Sequence, residues 1–185
     1  MYSTQPQKRR PCRRTPYALA FLLALTACCE HRPTTILVVR HAEKLTNAGG
    51  DPHLSADGLA RAEALARAAD VARVDVVYVT QYQRTRETAQ PLIAKYAPPV
   101  VSLPIDLAKP APHAIALAKS IVDKESGKVV LVVSHSNTVP AIVNALAGVT
   151  VPPIGDNEYD RLYVITLREG VRPTVIVARF GAPSR

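Results

Sequence analysis

The sequence predicts an α/β domain: a three-layer sandwich in which a mostly parallel, doubly wound sheet carries helices on both faces and ends in an antiparallel edge hairpin. Three observations predict it. Residues 35–39 (TILVV), 74–79 (VDVVYV) and 128–133 (KVVLVV) are apolar, β-branched runs, the pattern of strands buried on both faces. Helical patterns fall between them, and strands that alternate with helices pair in parallel. The last two apolar runs, 161–167 and 174–178, flank Glu169-Gly170, a pair suited to a hairpin turn.

The elements follow in order. After the first strand, residues 55–69 (SADGLARAEALARAA) open on Ser55 as N-cap, carry Asp57 in the first turn and place Leu59, Ala62 and Leu65 inward. Residues 82–96 form a second helix, bent or interrupted near Pro91. Residues 100–103 are a short strand and 104–112 a proline-rich loop. A third helix spans 113–125 and stops at Ser126-Gly127. A fourth, over 138–147, is closed by Gly148. No internal repeat or second domain is evident.

The N-terminus reads as an address. Residues 1–17 are polar and basic, and residues 18–27 (ALAFLLALTA) are apolar but too short to span a bilayer, which takes about 20 such residues. A basic region, a short apolar region and small residues before a cut mark an export signal. Leu25-Thr26-Ala27-Cys28 resembles the bacterial lipobox, in which cleavage leaves a lipid-bearing cysteine. The expected organisation is a signal over 1–27, a tether over 28–34 and a domain over 35–185. The destination is the periplasmic or envelope face, with a membrane anchor on Cys28. The arginine pairs 9–10 and 13–14 hint at twin-arginine export.

The net charge of +8 is concentrated in this leader. Without Lys8, Arg9, Arg10, Arg13 and Arg14 the chain holds 18 Lys and Arg against 15 Asp and Glu. No basic stripe and little aromatic interleaving remain, so the domain is not expected to bind nucleic acid. The cysteines are Cys12, Cys28 and Cys29, which leaves the domain without disulfides or thiolate metal ligands.

In open α/β sheets ligands bind beyond the carboxyl ends of the strands. Arg40 and His41 follow the first strand. Thr80 follows the second, with Arg84 at the start of the next helix. Ser134, His135, Ser136 and Asn137 follow the third. Two arginines and two histidines on one rim suit an oxyanion. Guanidinium forks match phosphate oxygens, a neutral imidazole is a competent nucleophile, and a second imidazole donates to charge developing on the anion. Free N–H groups at the helix starts near Arg84 and Asn137 are further expected donors. His31, His53 and His113 are expected to carry no chemistry.

Four segments together resemble the histidine phosphatase superfamily, which includes the phosphoglycerate mutases. Arg40-His41-Ala42-Glu43 resembles its Arg-His-Gly-Glu signature, and Leu54-Ser55-Ala56-Asp57-Gly58 its Leu-Ser/Thr-x-x-Gly segment. Arg84-Thr85-Arg86-Glu87-Thr88-Ala89 resembles its Arg-x-x-x-Thr-Ala motif, and Ser134-His135-Ser136 its second histidine motif. The resemblance runs from about Thr35 to Leu146, in the family's order, and implies a phosphoglycerate mutase-like fold. It implies a metal-independent phosphomonoesterase, without cofactor, acting on a small phosphorylated substrate. His41 is then the nucleophile, and Arg40, Arg84 and His135 form the phosphate pocket. Asn47 falls where many relatives carry a phosphate-contacting asparagine. Ala42 replaces the usual glycine. The family's general acid is an Asp or Glu; Asp106 is the best positional match and Glu158 the runner-up, while Ser136 excludes an acid directly after the second histidine. A non-catalytic phospho-ligand binding protein and a mutase-type phosphotransferase are the alternatives. Zinc on His41, Glu43, His53 and His135 is disfavoured by the flanking arginines.

Overall fold

The computed structural model describes residues 32–46 and 49–184. The expected signal and tether up to residue 31, including Cys28, and Asn47 lie outside the described residues. Six strands and four α-helices alternate: β1 Thr34–Arg40, α1 Ala56–Ala69, β2 Val76–Val79, α2 Gln83–Tyr96, β3 Val100–Ser102, α3 Pro110–Lys124, β4 Val129–Ser134, α4 Val139–Ala147, β5 Arg161–Arg168 and β6 Val171–Arg179.

The sheet order is β3-β2-β4-β1-β5-β6. β1, β2, β3 and β4 pair in parallel, and β5 runs antiparallel to both β1 and β6. The terminal hairpin is therefore the antiparallel edge the sequence predicts. Its turn, Glu169-Gly170, places Gly170 at φ +68°, a conformation that favours glycine.

Side chains alternate across the central strands, and each face takes its own pair of helices. Ile36, Val38, Val130, Val132, Val76 and Tyr78 pack with α3 and α4 through Leu117, Ile121, Ile142 and Val143. Leu37, Val39, Leu131, Val133, Val77 and Val79 pack with α1 and α2 through Leu65, Ala69, Ala89 and Leu92. This double coverage is why these strands read as continuous apolar runs.

Three local expectations change. α2 is helical throughout, with Pro91 in its interior, so the expected interruption is absent. α3 begins at Pro110, inside the segment read as a loop. Pro110 and Pro112 sit in its first turn, where backbone N–H groups have no helical acceptor, so neither ring costs a hydrogen bond. Leu59 is 55 % exposed, because α1 turns Gly58, Arg61, Ala62, Leu65, Ala66 and Ala69 to the interior instead. Gly58 sets that rotation: a Cβ there would lie 2.0 Å from the Glu43 carbonyl oxygen. Only glycine lets α1 approach the loop after β1 this closely.

Candidate active site

β4 lies between β1 and β2, so the carboxyl ends of these three strands are neighbours. Arg40 pairs with Ser134 in the β1–β4 register, and His41 N–H continues that ladder by donating to the Ser134 carbonyl at 2.8 Å. The two histidines thus leave adjacent strands side by side, with ring centroids 5.3 Å apart. Both are buried, at 4 % exposure for His41 and 3 % for His135.

The turn after β1 is held from α2. Ala42 N–H donates to the Thr88 hydroxyl at 2.9 Å, and that hydroxyl donates to the Arg84 carbonyl at 2.7 Å. Ala42 is buried with Leu54 and Ala62 and is not among the positive-φ residues, so the turn accommodates its methyl. Glu43 turns away from the histidines. Its carboxylate receives both Nε and Nη2 of Arg61 at 2.7–2.9 Å, and Arg61 also donates to the Phe180 and Ala182 carbonyls. This buried clamp joins the loop after β1 to α1 and to the C-terminal segment.

The tautomer of His41 follows from its partner. Nδ1 lies 2.8 Å from the Ala42 carbonyl oxygen, which only accepts, so Nδ1 carries the proton. Nε2 keeps its lone pair and has no partner among the described residues. Desolvation is the largest influence on this imidazole; the bond to Ala42 opposes it, and Arg40, Arg84 and Lys44 reinforce it. The result is a pKa pushed down to about 3. Desolvation, then His41, Arg84, His113 and Arg40, push His135 down to about 3 as well. Both rings are neutral at pH 7.

Both arginines are held by neighbouring groups, and both act electrostatically on the two histidines. Arg40 Nη1 donates to the carbonyls of Gly155, Asp156 and Glu158 at 2.8–2.9 Å, and its guanidinium stacks 4.0 Å from the Tyr159 ring centroid. Arg84 stacks 4.2 Å from the Tyr82 ring, and its Nη1 lies 3.4 Å from Asp51. Yet Nε of Arg40 and Nε of Arg84 are both buried with no hydrogen-bond partner. Burial, chiefly, lowers the pKa of each guanidinium, partly offset by neighbouring Tyr and acidic groups. Two buried, unpaired cationic donors, on arginines that act electrostatically on two neutral imidazoles, are chemically suited to an anion, since unpaired buried donors are costly and an oxyanion would pair them.

Some expected contributors are otherwise engaged. The helix-start donors are taken: Gln83 N–H by the Asp51 carboxylate, and Thr138 and Val139 N–H by the His135 carbonyl. The Asn137 side chain donates to the Leu107 carbonyl. Asp106 is exposed in a loop braced against the strand ends, through Gln81 to both backbone groups of Ile105 and through Asn137 to Leu107. Asp106 Oδ1 accepts from Ala108 N–H. Glu158 accepts from Gly155 N–H and pairs with Arg161 at 2.8 Å, contacts that hold it below the usual carboxylate range despite desolvation. His53 pairs with Glu87 on the surface, and no group of three metal-ligating side chains occurs among the described residues. His113 donates toward the Pro104 carbonyl and counts among the charges felt by His135.

Tyr82, Tyr159 and Asp51 were not marked by the sequence, because single aromatic or acidic residues in loops carry no pattern. A cleft of about 580 Å³ is bounded by Glu43, Asp57, Arg61, Arg67, Tyr159 and the C-terminal residues 181–184; Arg40, His41, Arg84 and His135 do not line it.

Comparison with known proteins agrees with this fold. Residues 36–105 match the sequence model of the histidine phosphatase superfamily (branch 1). No curated protein matches by sequence. Among solved structures, the protein histidine phosphatase SixA complexed with tungstate is 18 % identical, with a TM-score of 0.63 over 78 % of this chain and 96 % of that one. A mycobacterial glucosyl-3-phosphoglycerate phosphatase is 16 % identical, with a TM-score of 0.59 over 80 % and 99 % of the two chains. A phosphoserine phosphatase mutant from Entamoeba histolytica, in complex with phosphoserine, is 14 % identical, with a TM-score of 0.58 over 80 % and 96 %. The chain thus matches the sequence model of the histidine phosphatase superfamily from β1 into the loop after β3, and its domain shares the fold of these solved phosphatases.

Proposed function

We propose that this protein is a phosphomonoesterase that works through a phosphohistidine on His41. The observation that carries this reading is the pairing of an unprotonated His41 Nε2 with two buried, unpartnered guanidinium Nε groups. His41 Nε2 attacks phosphorus in line and the P–O bond to the leaving alcohol breaks. The alkoxide takes a proton from a general acid. Water then attacks the phosphohistidine, giving up a proton to the same group and returning His41 and inorganic phosphate. Arg40, Arg84 and His135 donate to the phosphoryl oxygens throughout, and Asn47 is the further proposed contact. No metal or cofactor takes part.

Asp106 is the proposed acid. Glu158 is less suited, because its contacts with Gly155 and Arg161 favour the ionised carboxylate. The similar solved phosphatases support turnover rather than mere binding. Small phosphorylated molecules are the substrate class, and a mutase-type phosphotransferase is the alternative reading of the same site. Export and lipid anchoring at Cys28 complete the proposal; metabolic labelling with a fatty acid, lost in Cys28→Ser, tests that part.

The test of the activity is hydrolysis of p-nitrophenyl phosphate in the presence of a chelator, by wild type and by His41→Ala. Turnover by wild type and none by the variant is expected. Phosphate binding without wild-type turnover on any phosphomonoester of a broad panel would overturn the enzyme reading in favour of a binding protein.

A further inference from the structure

Arg40 is gripped by one short turn. Its Nη1 donates to the carbonyls of Gly155, Asp156 and Glu158 at 2.8–2.9 Å, so two protons are shared among three acceptors. The turn that carries those carbonyls is closed twice. Glu158 N–H donates to the Gly155 carbonyl at 3.0 Å, and Gly155 N–H donates to Glu158 Oε2 at 2.8 Å. The other carboxylate oxygen, Oε1, accepts from Arg161 Nη2 at 2.8 Å. Arg161 is the first residue of β5, and its Nη1 donates to the carbonyls of Pro152 and Pro153 at 3.3–3.4 Å. A continuous chain of bonds therefore leads from the sheet, through the Glu158 carboxylate, to the guanidinium of Arg40.

We infer that Glu158 is a positioning residue for Arg40, a carboxylate that locks the 155–158 turn and, through the carbonyls of that turn, fixes the guanidinium. The inference rests on the phosphatase reading above, which assigns Arg40 to the phosphoryl group. Without the carboxylate, the bond from Glu158 N–H to the Gly155 carbonyl is the remaining closure of the turn, and that carbonyl also serves Arg40. Gly155 N–H would lose its acceptor, and the turn its tie to Arg161.

Carbonyls hold Arg40 without neutralising it. A carboxylate placed directly on a guanidinium competes with a bound anion for its charge, whereas a neutral oxygen leaves that charge in place. Glu158 stands one step back, with its own charge paired to Arg161. Tyr159, the residue after the turn, stacks on the same guanidinium at 4.0 Å, and its ring lies 6.2 Å from that of His41. The turn that Glu158 locks thus delivers both the carbonyls and the aromatic face that hold Arg40. The Glu158 side chain is 29 % exposed, so its removal truncates a surface brace and not the core.

The test uses the full-length protein with Glu158→Ala, Glu158→Gln, Arg40→Ala and the Arg40→Ala/Glu158→Ala double variant. Tungstate, a tetrahedral oxyanion like phosphate, is titrated by calorimetry. In parallel, kcat/KM is measured for p-nitrophenyl phosphate and for phenyl phosphate, whose leaving group is poorer. Glu158→Ala is expected to weaken tungstate binding about tenfold and to lower kcat/KM by about the same factor for both substrates, the effect of one lost hydrogen bond. Glu158→Gln keeps an amide oxygen for Gly155 N–H and is expected to stay within about threefold of wild type. In the Arg40→Ala background, Glu158→Ala is expected to cost less than about twofold, because its effect passes through Arg40. Equal losses with and without Arg40 would mark a merely structural role and overturn the inference, as would wild-type tungstate affinity in Glu158→Ala. A loss steeper for phenyl phosphate and not restored by Gln would overturn it in favour of Glu158 as the general acid. Tungstate binding needs no turnover, so a wild type that binds tungstate but hydrolyses nothing ends the phosphatase reading while the variant cycle still decides this one.

Discussion

Two neutral, buried imidazoles have a consequence for folding that is measurable without any substrate. His41 titrates near 6.5 when exposed in the unfolded chain and near 3 in the folded one, so between those values the unfolded state binds more protons and acid favours unfolding. Stability from this group is complete above about pH 6.5 and falls as pH drops toward 3. From pH 7 to pH 5, proton uptake by the unfolded His41 alone costs about 2 kcal/mol of folding free energy, and His135 costs as much again. The assay is urea unfolding of wild type and His41→Gln at pH 5, 6 and 7. Carboxylates and the remaining histidines are common to both proteins, so the difference in slope isolates His41. Wild type is expected to lose about 2 kcal/mol more than the variant across this range. Parallel stability profiles would refute the placement of His41 as a buried neutral base.

The same depressed base predicts that kcat/KM for an aryl phosphate, corrected for substrate ionisation, stays level from pH 7 to about 4 on the nucleophile's account. An acid limb at 6.5 traced to His41 would contradict it. Arg84→Ala removes contacts made with the phosphoryl group in both ground and transition states. It is expected to lower kcat/KM by about 10²- to 10³-fold, with KM rising and kcat falling; a change in only one of the two in steady-state kinetics would count against that role. Gly58→Ala drives a methyl into the Glu43 carbonyl and is expected to cost about 1–3 kcal/mol in urea unfolding. Wild-type stability of this variant would show that α1 does not need so close an approach to the loop after β1.

The layering of the fold was legible because β1, β2 and β4 are buried on both faces and therefore apolar almost without a break. The candidate site was legible for a related reason. Arg40 and His41 directly follow one such run, His135 follows another after Ser134, and Arg84 lies in the first turn of the helix after β2. What stayed hidden depends on long-range placement. That β4 sits between β1 and β2, bringing both histidines together, is a matter of strand order, which periodicity does not encode. The inward face of α1 was misjudged at Leu59 because a close backbone contact at Gly58 outweighed the larger side chain next to it. Pro110 and Pro112 signalled a loop, although the first helical turn accepts them without loss. Tyr82 and Tyr159 became visible only with their rings against Arg84 and Arg40.

The phosphoryl-enzyme itself is the most direct object of measurement. Mixing the protein for milliseconds with a ³²P-labelled phosphomonoester that it hydrolyses, quenching in alkali and mapping the label by peptide mass spectrometry reads the intermediate without reference to any structure. Label that is stable in alkali, labile in acid and confined to the peptide containing His41 is expected. Label on another residue, or brisk turnover with no label at all, would contradict His41 as the group that takes the phosphoryl.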